Sequence, residues 1–455
     1  MPFFSSHFSR FLLPLALAVL GAGLCAVLVP SEMVAVKQQL IGFPDSDVLA
    51  HKARPLILAV LCFLPALASL IYCFGGTLDR YIAREFAGIF CICFMALFLV
   101  WLLIDMSGSI SDFRESKDVP HTLLFFYGTR SPAVFLLLLP YSLLLSLLYA
   151  LGKLSTHREI IAMVQAGRGV FRITLPLIIA GVFFSLTSMG LNYHWAPIAD
   201  GSYDDILAEA CGKQATEATN VLYRNPLNRR LWMIGAFPHN YQLGQALLNV
   251  EITTTREDET LESRLFAKRA LWDRKTRTWT FEEPVVSHFQ PGQPAEFQAL
   301  NEPLKVKFWS ETPWQLIKPG LSAAYLGIPD LSTWLRLNIR NKEFADASPY
   351  RTQWHYRWAL PFTCLITVLL ATPLAIHFSR RGSGGGVFIA VVLSALMLLF
   401  SNISLAMGEA GALRPVYAAW LPNVTFALLG IYLFHRRLSG RPIYRSLLRF
   451  LPGND

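Results

Sequence analysis

Residues 132–151 read PAVFLLLLPYSLLLSLLYAL, twenty positions without a charged side chain. A helix of that length extends about 30 Å at 1.5 Å per residue, the thickness of a bilayer's hydrocarbon core. Working outward, seven more runs of this kind appear: Phe11–Val29, Pro55–Phe74, Phe86–Ile104, Ile173–Tyr193, Trp358–Phe378, Val387–Met407 and Val416–Phe434. The 455-residue chain is 53% hydrophobic and only 16% charged, a balance that excludes an ordinary soluble enzyme. Phe11–Val29 has a length and flank that suit a signal peptide, but Val27-Leu28-Val29-Pro30 offers no small-residue cleavage site, so it is read as a retained helix.

The net charge of +9 does not imply nucleic-acid binding, because its placement matters more than its sum. Fourteen Lys and Arg, from Arg10 to Arg449, fall in connections on the side of the N-terminus, against seven, from Lys37 to Arg414, on the other. The positive-inside rule then predicts that both termini are cytoplasmic and that the long stretch between the fifth and sixth runs is external. No nucleic-acid partner is expected. Six of the seven cysteines lie within apolar runs, and only Cys211 faces the outside, so neither a disulfide nor a thiolate metal site is predicted.

Between Asn192 and Arg357 the composition becomes that of a soluble domain. The segments Leu231–Ile234, Ala246–Thr253, Leu265–Trp272, Trp279–Phe281 and Val285–Phe289 are β-branched and aromatic, and turn residues separate them. They predict an all-β sandwich or jelly roll, followed by a short helix over Asp330–Arg340 that returns to the membrane. Trp232, Trp279, Trp272 and Trp309 suit either a packed core or a surface for a sugar or acyl chain.

The inner stretch Lys153–Gly169 reads KLSTHREIIAMVQAGRG. At 100° per residue, Leu154, Ile160, Ile161 and Val164 share one side, and Glu159, Ala162, Met163 and Ala166 form the other. A surface helix with one carboxylate among small residues fits a groove on a cytoplasmic partner. Thr156-x-x-Glu159 is equally a capping box, in which the glutamate only closes its own helix.

The sequence lacks a G-x-x-x-x-G-K-[ST] phosphate loop; Arg381–Gly386 is glycine-rich but has no lysine and reads as a turn. If ATP drives this protein, another chain hydrolyses it. The runs contain no mid-membrane charge, and Asp105 and Glu409 sit only at their outer ends, so ion coupling has little support. Neither a G-x-S-x-G elbow nor an H-E-x-x-H helix occurs. The pair Asp204 and Asp205 suits a cation or, more simply, solvent. No cofactor is expected.

Several local patterns resemble the lipopolysaccharide-export permeases of the LptF/LptG (YjgP/YjgQ) family. Leu78-Asp79-Arg80-Tyr81-Ile82 resembles the entry to that family's first helix, and Arg158–Gly167 resembles its cytoplasmic coupling helix. Ala267–Trp279 resembles a pair of its strands. Arg357-Trp358-Ala359-Leu360-Pro361 and Ala419-Trp420-Leu421-Pro422-Asn423 resemble the starts of its fourth and last helices.

The resemblance covers about Thr77–Leu438 and implies a six-helix permease with an inserted, jellyroll-like periplasmic β domain, plus two extra N-terminal helices. The implied domains are an N-terminal hairpin (1–76), helices 1–3 (77–194) with a coupling helix at 153–169, the β domain (195–350), helices 4–6 (351–438) and a basic tail (439–455). It implies a non-enzymatic subunit of an inner-membrane ABC exporter, partnered by a cytoplasmic ATPase dimer, a second permease of the same family and a periplasmic β-jellyroll lipid-transfer protein. The cargo would be lipopolysaccharide or a similar lipid.

Carried over residue by residue, ATPase coupling falls on Glu159, flanked by Arg158, Ala162, Met163, Ala166 and Gly167. Where some family members place a basic residue near the outer end of the first family helix, this chain has Asp105. Arg114, Lys117 and Arg130 in the following outer segment are the substitutes for contacting lipid phosphate. The rival reading is a membrane-anchored periplasmic scaffold with no transport role.

Overall fold

The computed structural model describes residues 3–42, 47–113, 119–201, 216–225, 228–238, 245–256, 260–273, 276–289, 294, 296–300, 302–307, 309, 311–317, 322–338, 347–376 and 384–439. The chain begins with α1 (Phe3–Gly42), α2 (Val48–Phe74), α3 (Thr77–Phe113), α4 (Val119–Thr156), the short α5 (Glu159–Gln165), α6 (Val170–Tyr193) and α7 (Trp195–Gly201). Eight strands follow: β1 (Thr216–Asn225), β2 (Arg230–Pro238), β3 (Leu247–Thr255), β4 (Leu261–Asp273), β5 (Thr278–Glu282), β6 (Val285–His288), β7 (Glu296–Ala299) and β8 (Leu304–Lys307). The chain then returns through α8 (Pro313–Ile317), α9 (Ile328–Asn338), α10 (Ser348–Ala359), α11 (Phe362–Ala375), α12 (Gly384–Glu409) and α13 (Pro415–Leu438).

Among the described residues, seven helices are long and apolar enough to cross a membrane: α1, α2, α3, α4, α6, α12 and α13. The eighth expected crossing, Trp358–Phe378, falls across a broken pair, α10 and α11, bent by 51°, and its last two residues lie outside the described residues. Pro361 explains the break, because it has no N–H to offer the carbonyl of Arg357. That carbonyl instead accepts from Asn192 Nδ2 at 2.7 Å, and the Ala359 carbonyl accepts from Asn423 Nδ2 at 2.6 Å. The two stretches 357–361 and 419–423 therefore meet in the folded chain.

α4 is the centre of the bundle. Leu139, Leu143, Leu147 and Leu151 recur every four residues on one face and are all fully buried, sharing a core with Ile173 and Leu177 of α6 and Val368 and Leu370 of α11. The helices exceed the uncharged runs. α4 begins before Arg130, α3 extends past Asp105, and Arg357 lies inside α10, so these three charges belong to helices.

The β domain is wholly antiparallel. β1 to β5 pair in sequence order as hairpins, β8 adds beside β5, and β6 pairs with β4 and β7. β4 splits the sheet into two leaves: Arg269–Asp273 pairs with β5 and Ser263–Phe266 with β6. The all-β expectation holds: β1 to β5 form a meander, and the pairs β5–β8 and β4–β6, between strands not consecutive in sequence, add crossovers to it. Along β2, Trp232 and Ile234 point inward and Met233 outward, the two-residue period of a half-buried strand.

The core reading of the tryptophans prevails for Trp232 and Trp279, which are fully buried with ring centroids 5.2 Å apart. Trp272 and Trp309 pack against the same core. At the base of the domain the buried Glu311 accepts from Arg230 Nη1 at 2.9 Å and Asn225 Nδ2 at 2.8 Å, and its carbonyl accepts from Trp279 Nε1 at 2.8 Å.

Candidate coupling site and lipid cavity

The site at 158–168 is built by two backbone devices. Arg158 adopts φ 60, which ends α4 and re-aims the chain, so α5 starts at Glu159. At the other end Gly167 takes φ +84; its N–H bonds the Val164 carbonyl at 3.0 Å and the Arg168 N–H bonds the Met163 carbonyl at 3.1 Å. This Schellman closure needs a residue without a Cβ at Gly167.

The helix expected over 153–169 is thus confined to Glu159–Gln165. Lys153 belongs to α4, where its ammonium pairs with Glu85 at 2.5 Å. The capping box does not form either. The Thr156 hydroxyl donates back to the Gly152 carbonyl at 2.8 Å, and the Glu159 carboxylate instead accepts from the Tyr81 hydroxyl of α3 at 2.8 Å.

The re-aiming at Arg158 also changes which face points inward. Ile160 and Met163 are buried in the transmembrane core, whereas Arg158, Ala162, Ala166 and Gly167 are exposed and Glu159 is half-buried. Met163 therefore leaves the expected docking face. The exposed set is a strip of small residues with one carboxylate at its head. Arg168 pairs with Asp79 at 2.7 Å, so the stretches 78–82 and 158–168 contact each other through both Tyr81–Glu159 and Asp79–Arg168.

A cavity of about 350 Å³ opens between α3, α4, α6, α7, α10, α11 and α12. Trp101, Val134, Leu137 and Leu398 line its apolar wall, and Arg130, Arg357, Asp200, Tyr356 and Asn402 supply polar groups. Arg130 pairs with Asp105 at 3.0 Å and its guanidinium lies 5.5 Å from the Trp101 ring centre. Asp105 therefore positions the neighbouring cation.

The sequence did not single out Arg357. It lies one residue ahead of the uncharged run, and its signal was the motif 357–361, read only as a helix start. Arg357 is buried; Nη1 donates to Asn192 Oδ1 at 3.1 Å, Nη2 donates to the Ala324 carbonyl, and Nε has no hydrogen-bond partner. Arg114, Lys117, Cys211, Asp204 and Asp205 lie outside the described residues. Among the described residues no cluster of three or more His, Cys, Asp or Glu side chains is placed to hold a metal.

A family model described as "Lipopolysaccharide export system permease LptF/LptG" matches residues 80–436. The lipopolysaccharide export system permease protein LptF of Escherichia coli strain K12 is 24% identical over 373 residues, covering 78% of this chain and 93% of that protein. LptF of Shigella flexneri matches to the same extent, at 24% identity over 373 residues, 78% of this chain and 93% of its own.

Proposed function

Because the chain belongs to the LptF/LptG family of lipopolysaccharide export permeases, we propose that it is the transmembrane subunit of an ABC exporter. In this reading it extracts lipopolysaccharide, or a similar amphiphile, from the inner membrane and passes it through its periplasmic β domain. ATP is hydrolysed by a separate cytoplasmic ATPase dimer, and a second permease of the family completes the transmembrane cavity. Both termini are cytoplasmic, following the distribution of Lys and Arg.

The observation that carries this reading is the construction of α5. Its outer face presents Glu159 and small residues to a partner, while Ile160 and Met163 are packed in the same core as the spanning helices. A close-packed interior transmits displacement instead of absorbing it, so a push on α5 moves α4 and α6. α6 then runs 24 residues, about 36 Å, from α5 to the segment that leads into the β domain.

Arg130 and Arg357 suit a lipid phosphate at the outer end of the cavity, because a guanidinium offers a planar pair of donors to phosphate oxygens. Coupling to ATP is needed because withdrawing each buried CH₂ from the bilayer costs about 0.8 kcal/mol, and a multi-chain lipid has many.

The test is release of labelled lipopolysaccharide to a soluble β-jellyroll acceptor from proteoliposomes that contain this chain, its co-expressed second permease and the ATPase. ATP-dependent release supports the exporter. Acceptor binding with no ATP-dependent release would favour the membrane-anchored scaffold.

A further inference from the structure

Residues 1–76 precede the family-matched region, which starts at residue 80. α1 and α2 nevertheless do more than add two spans. α2 lies against α6 at Gly190, where a Cβ would meet Leu61 Cδ2 at 2.5 Å, and the Tyr193 hydroxyl donates to the Ala50 carbonyl at 2.9 Å. A Cβ at position 190 would force the Leu61 side chain to move.

The outer end of the hairpin meets α9, the helix that brings the chain back from the β domain, through a buried polar cluster. Asp47 caps α2 by accepting from the Ala50 N–H at 3.3 Å, while its other oxygen accepts from Arg336 Nη2 at 2.8 Å. The Asp47 N–H donates to the Thr333 hydroxyl at 3.0 Å, and His51 Nε2 lies 3.4 Å from that hydroxyl. From α1, Gln39 donates to Asp330 at 3.2 Å and accepts from Arg54 at 2.8 Å, and Arg54 pairs with Glu32 at 2.5 Å. His194, at the end of α6, lies 3.9 Å from Asp330.

Lipid-facing helices need no such network, since apolar packing suffices to hold them in a bilayer. Buried polar groups are costly unless matched, and a matched set fixes one arrangement. Here they are concentrated where the hairpin touches α9. The opposite side of α9 is held by α10, with Trp334 stacked on Tyr350 at 3.7 Å and Trp354 Nε1 donating to Ser332 at 3.0 Å.

The geometry points to a built-in clamp: the N-terminal hairpin closes over α9 and fixes the returning limb of the β domain to the outer end of the bundle. α9 then moves with α6 and α10 instead of swinging on its connections. The clamp stands whether or not the chain is an exporter, so its test is independent of transport.

The test is hydrogen exchange, read by mass spectrometry on the full chain in nanodiscs, of residues 328–338 in wild type, Arg336→Gln, Arg336→Lys and Thr333→Val. Arg336→Gln cannot disturb a core, because 62% of that side chain is exposed. About tenfold faster exchange of 328–338 is expected in Thr333→Val and about threefold in Arg336→Gln, whose arginine is largely solvated, with α12 and α13 unchanged and Arg336→Lys near wild type. Exchange of 328–338 at the wild-type rate in both variants would overturn the clamp, as would an equal rise across the whole bundle.

Discussion

The Tyr81 hydroxyl donates to Glu159 Oε2 at 2.8 Å and joins the N-terminal end of α3 to the head of α5 across 78 residues of sequence. The carboxylate that the proposed ATPase meets is therefore already oriented, which lowers the cost of ordering it on binding. Tyr81→Phe removes one hydrogen bond to a charged group, worth about 1.5 kcal/mol, and should weaken ATPase association roughly tenfold. Titration of the purified ATPase against the permease pair checks this, with thermal stability expected to stay near wild type.

Arg357 and Arg130 should separate in their effects on stability. Arg357→Gln leaves the Ala324 carbonyl and the Asn192 side chain short of a donor inside the bundle, and should cost on the order of 2 kcal/mol. Arg130→Gln should cost less, since the Asp105 it leaves is partly accessible. Both should reduce the lipopolysaccharide that co-purifies, measured by lipid extraction and mass spectrometry.

In the β domain, Glu311→Ala would leave Arg230 and Asn225 without their shared acceptor in a buried site. Loss of one partner of a buried ion pair typically costs about 3–5 kcal/mol. Trp232→Ala, which empties the centre of the core, should cost a similar ~3–5 kcal/mol. Tryptophan-fluorescence melts should show a lowered first transition in both, with the helical signal retained.

Acid should loosen the junction of α2, α6 and α9 through His194. Burial, with the nearby Arg54 and His51 adding to it, holds the imidazole well below its ordinary 6.5, despite Asp330 at 3.9 Å. The folded form therefore binds its proton later than the unfolded form, and the stability this neutral ring contributes is present above pH 6.5 and declines as pH falls below it. His194→Gln should flatten the dependence of thermal stability on pH between about 6.5 and 5, measured by thermal unfolding across that range.

The apolar runs were legible because the bilayer sets their length, and the family resemblance read at 78–82, 158–167, 357–361 and 419–423 agrees with the match over 80–436. The five expected strand segments appear as β2 to β6. β1, β7 and β8 escaped because their sequences, TEATNVLYRN, EFQA and LKVK, are too polar or short to show a buried face; partner strands fix them.

The bounds of α5 were not legible, since nothing in periodicity announces a left-handed arginine at 158. Met163 was misplaced for the same reason: a helical wheel drawn across a break assigns faces from a phase the chain does not keep. Arg357 was hidden by its position at the edge of a run, because its burial depends on Asn192, which is 165 residues away.

The central claim, that α5 couples this permease to an ATPase through Glu159, is tested most directly by affinity purification from gently solubilised membranes, comparing wild type with Glu159→Ala. The account predicts that wild type retains a soluble ATPase and a second permease of the family, and that the variant loses the ATPase while keeping the permease. Equal ATPase recovery from both proteins would contradict it.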